Sequence, residues 1–488
     1  MLKKLFTRLK PKRAAHSPAA LPALRLRNTL SGELEEFVPM GKVVKMYNCG
    51  PTAYDYVHIG NLRAYINADT IRRALLRWGH KVEQVINITD FGHLVSDADE
   101  GEDKMTKGLR REKKKITMEN MAKLAEKYTE AFLEDIDLLG LDVEHIRFPR
   151  ASHYIPEQVA LIKSLEQKGY AYRLEDGVYY DTSRFPGYGK LGSQNLAGQE
   201  AGARLEVNTN KRHPADFVLW KSDKKLGWES PWGLGFPGWH TECVAMIFKL
   251  LGKQIDIHTG GIDHIAIHHN NELAQAEAAT GRQFVRVWMH GEFITIEDKK
   301  VSKSLRNTIS LRNIVDKGIS PRALRYWFLS GHYATPMNFT WDAIEGANTT
   351  YQRLARAYLE LPPSQMRPDP QFIKDFYGAI ADDLNTPQAI GRVWNLLRDP
   401  EVAPAVKRAS LQEADRILGL GLGESGPVAR VTVISVGDLP EEVQRLISAR
   451  QEARDNKDYK KSDDLRAAIA KKGFDVKDAP DGQKVTKK

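Results

Sequence analysis

Hydrophobic and polar positions in the first half of the chain alternate between short β-branched runs and helical spacing. Val43-Val44-Lys45-Met46-Tyr47-Asn48 reads as a strand, Tyr65 to Trp78 as a helix with apolar positions three and four apart, and Val82-Glu83-Gln84-Val85-Ile86-Asn87-Ile88 as the next strand. Strand, loop, helix and strand in that order predict parallel βαβ units. An amphipathic helix follows from about Thr117 to Leu139, and the aromatic alternation from Tyr170 to Tyr180 predicts a small antiparallel insertion. Ile255-Asp256-Ile257-His258 and Val285-Arg286-Val287-Trp288-Met289-His290 restore the parallel-strand pattern, so the sheet is interrupted and then resumed.

After Ile309 the spacing turns helical over Pro321 to Ser330, Trp341 to Leu361, Pro370 to Leu397 and Ala409 to Leu418. Pro362-Pro363 punctuates this stretch and Gly419-Leu420-Gly421-Leu422-Gly423 opens a linker, after which a helix pair runs from about Pro440 to Lys472. The fold class is therefore α/β: a Rossmann-like parallel-sheet domain over 24–310 with an insertion at about 117–235. A loop-and-helix connection (311–345), a helical bundle (346–422), a linker (423–439) and a small C-terminal module (440–488) follow. A chain of 488 residues exceeds one core and needs such a division.

Composition adds little until the charge is placed. The net charge is +9, yet residues 1–32 carry eight basic residues and no acid, and residues 445–488 contribute +5, leaving −4 for the middle. Residues 1–23, with three prolines, read as a basic disordered arm. Such an acid-free start also permits an organellar transit peptide, although it is short of serine. The C-terminal excess suits a polyanion such as RNA, and a charged helical surface has the same composition. No run approaches the roughly 20 apolar residues of a membrane span, so a soluble chain in a reducing, cytoplasmic compartment is expected.

Candidate chemistry gathers around the two cysteines, in Asn48-Cys49-Gly50-Pro51-Thr52 and Trp239-His240-Thr241-Glu242-Cys243. Taken singly each fits a buried small hydrophobe, and the pair fits a disulfide in a secreted chain, which nothing here indicates. His268-His269-Asn270-Asn271-Glu272 adds an imidazole and a carboxylate, and two thiols with these two groups make a tetrahedral zinc donor set. His58-Ile59-Gly60-Asn61 falls between the first strand and the following helix, where a helix N-terminus favours phosphate. Alone it is a helix cap. Lys300-Val301-Ser302-Lys303-Ser304, expected on a loop after the strand Phe293-Ile294-Thr295-Ile296, brings two lysines and two hydroxyls able to clamp a triphosphate. Both motifs are expected, in order, on one sheet.

At these residues the sequence resembles the class I aminoacyl-tRNA synthetases and, within them, the cysteinyl-tRNA synthetases. The resemblance runs from about Leu24 through Met46 to Asp55, His58-Ile59-Gly60-Asn61, Pro237 to Cys243, Asp256 to Asp263, His268 to Glu272 and Lys300 to Ser304. It implies a zinc ion held by Cys49, Cys243, His268 and Glu272, with Gly50, Thr89, Trp239 and His258 around the substrate cysteine. It implies ATP held with Mg²⁺ by His58, Gly60, Asn61, Lys300, Ser302 and Lys303, of which His58, Asn61, Lys300 and Lys303 serve catalysis. Activation to cysteinyl-adenylate and transfer to the 3′-terminal adenosine of tRNA(Cys) follow from it. A probe of the anticodon side is implied for the helical part, which includes Asp382-Asp383-Leu384-Asn385-Thr386-Pro387, and for the C-terminal module. We expect a monomer.

Two departures stand out. After Thr89-Asp90 the chain reads Phe91-Gly92-His93-Leu94-Val95-Ser96 where the family has a short acidic run, reaching Glu102-Asp103-Lys104-Met105 later. The family's C-terminal tryptophan is replaced by Gly482-Gln483-Lys484-Val485, so aromatic stacking on an anticodon base from that position is not expected. The rival enzyme is a mycothiol-pathway type of ligase that joins activated cysteine to an amino sugar, which needs no C-terminal reach toward tRNA. A silent RNA-binding paralogue would show damaged motifs, and a nucleotidyltransferase with a related histidine motif would leave the zinc set unexplained.

Overall fold

The computed structural model describes residues 21–92, 103–192, 210–300, 308–423, 439–456, 458–479 and 482–487. Its centre is a five-stranded parallel sheet of β1 (Val43–Asn48), β2 (Lys81–Ile86), β3 (Ile146–Arg147), β4 (Ile255–Gly261) and β5 (Val285–Gly291). The spatial order is β5-β4-β1-β2-β3. The chain thus builds outward from β1 to β2 and β3, then returns to the other side of β1 for β4 and β5. Between β1 and β4 the winding reverses, and a crevice opens beyond the carboxyl ends of strands at such a point. Register brings those ends level, with His258 beside Tyr47 and Thr259 beside Asn48.

Helix α1 (Ile59–Arg77) connects β1 to β2 and begins six residues before the periodicity predicts, because the ring of His58 caps it by accepting from the Asn61 N–H at 3.4 Å. The resumption of the sheet is preceded by helix α2 (Trp239–Leu250), and α3 (Asn270–Thr280) joins β4 to β5. The predicted antiparallel insertion is a four-stranded sheet of Ala171–Leu174, Gly177–Tyr180, Phe217–Ser222 and Gly235–Pro237. Its aromatic alternation pairs Tyr172 with Tyr179 and stacks Tyr180 on Phe217. Buried apolar side chains around the central sheet fall into two separate clusters.

Three expectations about elements need correction. The lysine motif is not on the central sheet: Ile294–Ile296 belongs to a three-stranded sheet with Lys299–Lys300 and Met337–Phe339. Lys300 itself is in a strand rather than a loop, because Glu297 and Asp298 both adopt left-handed backbone and turn the chain back as a hairpin. Pro370 to Leu397 is not one helix. Asp383 and Leu384 are left-handed, and the helices Pro370–Ala381 and Thr386–Arg398 stand on either side. Beyond the predicted helix pair, found at Glu441–Asp455 and Tyr459–Lys471, an antiparallel hairpin of Phe474–Ala479 and Gly482–Lys487 completes a separate small core. The arm at 1–20 and linker residues 424–438 lie outside the described residues. Among the described residues no helix is long and apolar enough to cross a membrane.

Candidate active site at the sheet crossover

Cys49 follows the last residue of β1, and its N–H reaches the Thr259 carbonyl of β4 at 3.3 Å, so the thiol stands over the crossover crevice. Gly50 allows this. A Cβ there would lie 1.5 Å from the Asn87 carbonyl oxygen, and the Gly50 N–H is taken by Asn87 Oδ1 at 2.8 Å. Cys243 enters from the start of the second turn of α2, while His268 and His269 enter from a π-helical turn (Ile265–His269) just before α3. That wider turn presents both rings to the crevice, and such turns concentrate at functional positions. Gly260 leaves room for His269, because a Cβ there would stand 2.6 Å from the His264 and His269 rings.

Donor atoms of Cys49, His268, His269 and Glu272 all lie within 4.8 Å of one another. Glu272 Oε1 is 3.6 Å from Cys49 Sγ and 2.7 Å from His268 Nε2, and Cys243 Sγ is 3.7 Å from that same nitrogen. The two cysteines are free rather than disulfide-bonded. Of the four residues expected as ligands, Cys49, His268 and Glu272 belong to this group, while Cys243 stands outside it, against His268. His269, which the sequence reading passed over, also converges, with Nε2 at 3.3 Å from Cys49 Sγ.

The surroundings orient this set. His258 Nε2 meets Glu272 Oε2 at 2.8 Å, which turns Oε1 toward the thiols, and both residues are fully buried. His240 Nδ1 meets His268 Nδ1 at 2.8 Å, which leaves Nε2 for the cluster. His269 Nδ1 meets His290 Nε2 at 2.7 Å, and Thr29 Oγ1 meets His290 Nδ1 at 2.7 Å. Burial alone would raise the Glu272 carboxyl, but His258 and His268 hold it well below the usual carboxylate range. Burial pushes His268 down, and the Glu272 carboxylate with Cys243 outweighs it, lifting the ring to about 10. Burial, Cys243 and Glu272 together push the Cys49 thiol up. Burial, then the histidines around it, hold His269 neutral with a strongly lowered pKa. The Tyr47 hydroxyl is buried, and burial beside both thiols drives its pKa up.

These donors fit a zinc ion by chemistry and spacing. Tetrahedral bonds of about 2.0–2.3 Å place neighbouring ligand atoms roughly 3.3–3.8 Å apart. The Cys49–Glu272 and Cys243–His268 separations fall in that range, whereas His268–Glu272 is shorter because a proton joins them. Cationic charge would displace that proton and favour the thiolates.

The other residues expected in the cysteine pocket surround this cluster. Thr89 donates to Glu242 Oε2 at 2.8 Å, both buried, so Glu242 is a crevice residue the sequence reading missed although it sits inside a quoted motif. The Trp239 ring lies 4.3 Å from the His268 ring, and Lys104 Nζ stands 4.8 Å over its face. His258 lies behind Glu272 rather than in the open part of the crevice. Residues 93–102, which follow the family departure at Asp90, lie outside the described residues.

His58 caps α1 and Gly60 and Asn61 lie in its first turn, which residues 49–58 join to the end of β1. Downstream of the lysine motif the chain returns to this turn. The Ile59 N–H donates to the Ile309 carbonyl at 2.8 Å and His58 bridges Ser310, so the chain returns to the helix start just beyond the lysine motif. Ser302 and Lys303 lie outside the described residues.

Comparison with known proteins agrees with this architecture. Residues 36–349 match the family described as tRNA synthetases class I (C) catalytic domain, and residues 436–485 match the cysteinyl-tRNA ligase anticodon binding domain. Over 95% of the chain and 96% of the relative's length, the sequence is 44% identical to "Cysteine--tRNA ligase 1" of Burkholderia lata. It is 39% identical to the cysteine--tRNA ligase of Treponema denticola, covering 93% of this chain and 98% of that one. Among solved structures, a Mycobacterium tuberculosis methionyl-tRNA synthetase in complex with methionyl-adenylate aligns with a TM-score of 0.52 at 14% identity, covering 78% of this chain and 90% of that one, a likeness of fold. With a parallel-sheet domain whose crossover crevice gathers both cysteines, and matching catalytic and anticodon-side regions, the chain belongs to the class I cysteinyl-tRNA synthetases.

Proposed function

We infer that the protein activates L-cysteine with ATP and transfers it to the 3′-terminal adenosine of tRNA(Cys). The observation that carries this reading is the meeting of buried Cys243, His268 and Glu272 with half-buried Cys49 at the crossover crevice, in a chain whose next helix begins with an N-terminus suited to phosphate. These four residues would hold zinc, which supplies a soft cationic site for the substrate thiolate. Serine differs from cysteine by one atom, and shape alone separates such near-isosteres by about 10²-fold. A hydroxyl is far less acidic and a harder ligand, so a thiolate-selective site discriminates without a second hydrolytic site.

In activation, a cysteine carboxylate oxygen attacks the α-phosphorus of ATP; that bond forms, the α–β bridging P–O bond breaks, and pyrophosphate leaves. The protein contributes positioning and charge stabilisation rather than a nucleophile. His58 and Asn61 hold phosphate at the start of α1, Gly60 lets the nucleotide approach the backbone, and Lys300, Ser302 and Lys303 neutralise charge from the other side, with Mg²⁺ accompanying ATP. Gly50, Thr89, Trp239 and His258 frame the amino acid, His258 by orienting Glu272. The match at 436–485 favours tRNA over an amino-sugar acceptor.

Amino-acid-dependent pyrophosphate exchange tests the reading, run with cysteine and with serine before and after zinc removal. Exchange is expected with cysteine alone, lost on chelation and restored by zinc. Cysteine exchange that survives complete zinc removal would contradict the selection mechanism, and failure to charge tRNA while using an amino sugar would overturn the acceptor.

A further inference from the structure

Arg63 follows the phosphate motif by two residues, in His58-Ile59-Gly60-Asn61-Leu62-Arg63, and the activation chemistry leaves it without a role. It is 1% exposed. A guanidinium removed from water is costly unless its donors find acceptors. Nη1 donates to the carbonyls of Glu292 at 3.0 Å and Phe293 at 3.2 Å, and Nη2 to those of His332 and Thr335, both at 2.8 Å.

The two carbonyl pairs belong to segments that lead into neighbouring strands. Glu292 and Phe293 precede Ile294–Ile296, His332 to Thr335 precede Met337–Phe339, and these two strands pair in parallel. On its other edge Ile294–Ile296 carries Lys299–Lys300. Beyond the lysine motif the chain is tied again to the helix start, where the Ile59 N–H meets the Ile309 carbonyl. Both flanks of the lysine-bearing segment are thus fastened to Ile59 and Arg63, one helical turn apart, around His58 and Asn61.

We propose that Arg63 is a positioning residue for adenylate formation. Without touching nucleotide, it fixes the hairpin that carries Lys300 against the helix N-terminus that handles the same phosphates. The inference rests on the phosphate roles assigned above to His58, Asn61 and Lys300. Arginine suits the task because its planar fork spans two carbonyl pairs, whereas the three donors of a lysine radiate from one nitrogen. Misplacement of a catalytic group by about 1 Å can cost about 10²-fold in rate.

The test compares full-length, zinc-loaded wild type, Arg63→Met, Arg63→Lys and a control, Arg325→Lys. Arg325 is as deeply buried but joins Asp69 of α1 to the Leu418 carbonyl in the helical part, away from the hairpin. For Arg63→Met, the kcat of cysteine-dependent pyrophosphate exchange should fall at least tenfold, with KM for cysteine within twofold of wild type and zinc content unchanged. Arg63→Lys should fall between Arg63→Met and wild type, and Arg325→Lys should lower the thermal midpoint while its exchange kcat stays within twofold. Exchange by Arg63→Met within twofold of wild type, or a parallel loss of kcat and cysteine affinity matching Arg325→Lys, overturns the proposal. If Arg63→Met is insoluble, Arg63→Lys decides: a kcat at least threefold lower with unchanged cysteine KM supports it, and a smaller change overturns it. Absence of cysteine-dependent exchange in wild type would sink the functional reading. Calorimetric binding of ATP with Mg²⁺ then reads Arg63 in the same proteins: weakening in Arg63→Met but not Arg325→Lys supports the proposal, and equal affinity overturns it.

Discussion

Replacing Gly50 with alanine puts the crevice geometry under direct test. The added Cβ would stand 1.5 Å from the Asn87 carbonyl oxygen and 2.7 Å from its carbon, and both are backbone atoms that no rotamer change can move aside. Ordinary contact asks for roughly 3.5 Å, so the two chain segments must part by about 2 Å. Three hydrogen bonds knit them: Gly50 N–H to Asn87 Oδ1, Thr89 N–H to the Pro51 carbonyl and Ala53 N–H to the Thr89 carbonyl. At about 1 kcal/mol each, their loss removes about 3 kcal/mol of local stability. Cys49 moves with its neighbour, although its thiol depends on contacts of 3.3 Å and 3.6 Å to His269 and Glu272. A shift of that size costs on the order of 10²-fold in kcat/KM for cysteine, and zinc per chain falls below one. Pyrophosphate exchange at varied cysteine, with metal content measured after gel filtration, reads both. A Gly50→Ala protein with full zinc and kcat/KM within threefold of wild type would refute the account of this close approach.

Three further outcomes are expected. Thr89→Val keeps the side-chain shape but deprives buried Glu242 of one donor, so it should cost about 1.5–3 kcal/mol in chemical denaturation and raise KM for cysteine; wild-type values for both would show the contact to be idle. Asp69→Asn leaves Arg325, fully buried, without its carboxylate and should cost about 3–5 kcal/mol. Burial raises the Asp69 carboxyl, but Arg325 and Arg73 outweigh it and hold the folded pKa below the ordinary 3.8, so its contribution is present above that pH and lost as pH falls through the folded value. The gap in thermal midpoint between wild type and Asp69→Asn should therefore narrow on strong acidification, and a gap constant with pH would contradict the ion pair. Asp135 runs the other way: burial pushes its carboxyl up to about 6, so the stability of its protonated form is lost as pH rises from 3.8 through that value. Asp135→Asn should stabilise by about 2–3 kcal/mol near pH 7.5 and little near pH 4, and equal effects at both pH values would refute the desolvation argument.

The elements that were legible in the sequence are those whose local pattern and tertiary environment agree. β1, β2 and β5 lie within two residues of their expected bounds, and β4, expected over Ile255 to His258, runs on to Gly261. α1 was anticipated too short because its first turn is decided by a cap and a polar motif rather than by apolar spacing. The break at Asp382 to Asn385 was missed because Asp383 and Leu384 are held left-handed by distant partners: the Arg27 N–H and the Tyr333 hydroxyl on Asp383 Oδ1, and the His332 ring on its carbonyl. The hairpin at the C-terminus was missed because Phe474 to Lys487 is mostly polar, with Val476 and Val485 its buried contribution to the core.

By itself the sequence determined the α/β class, the order of elements and the residue types able to bind a metal and phosphates. Those follow from spacing and side-chain chemistry, which are local. Tertiary structure decided which of the donors meet. Cys49, Cys243 and the His268–Glu272 pair come from three separate places in the chain, and they converge only because the winding reverses between β1 and β4 and a π-helical turn rotates two histidines into the crevice. His269, Glu242 and Tyr47 joined the site in the same way, since nothing in their local sequence separates a residue facing the crevice from one facing the core. Arg63 is the furthest case. Its four acceptors are backbone carbonyls, which carry no sequence signature and become visible only once the chain is folded.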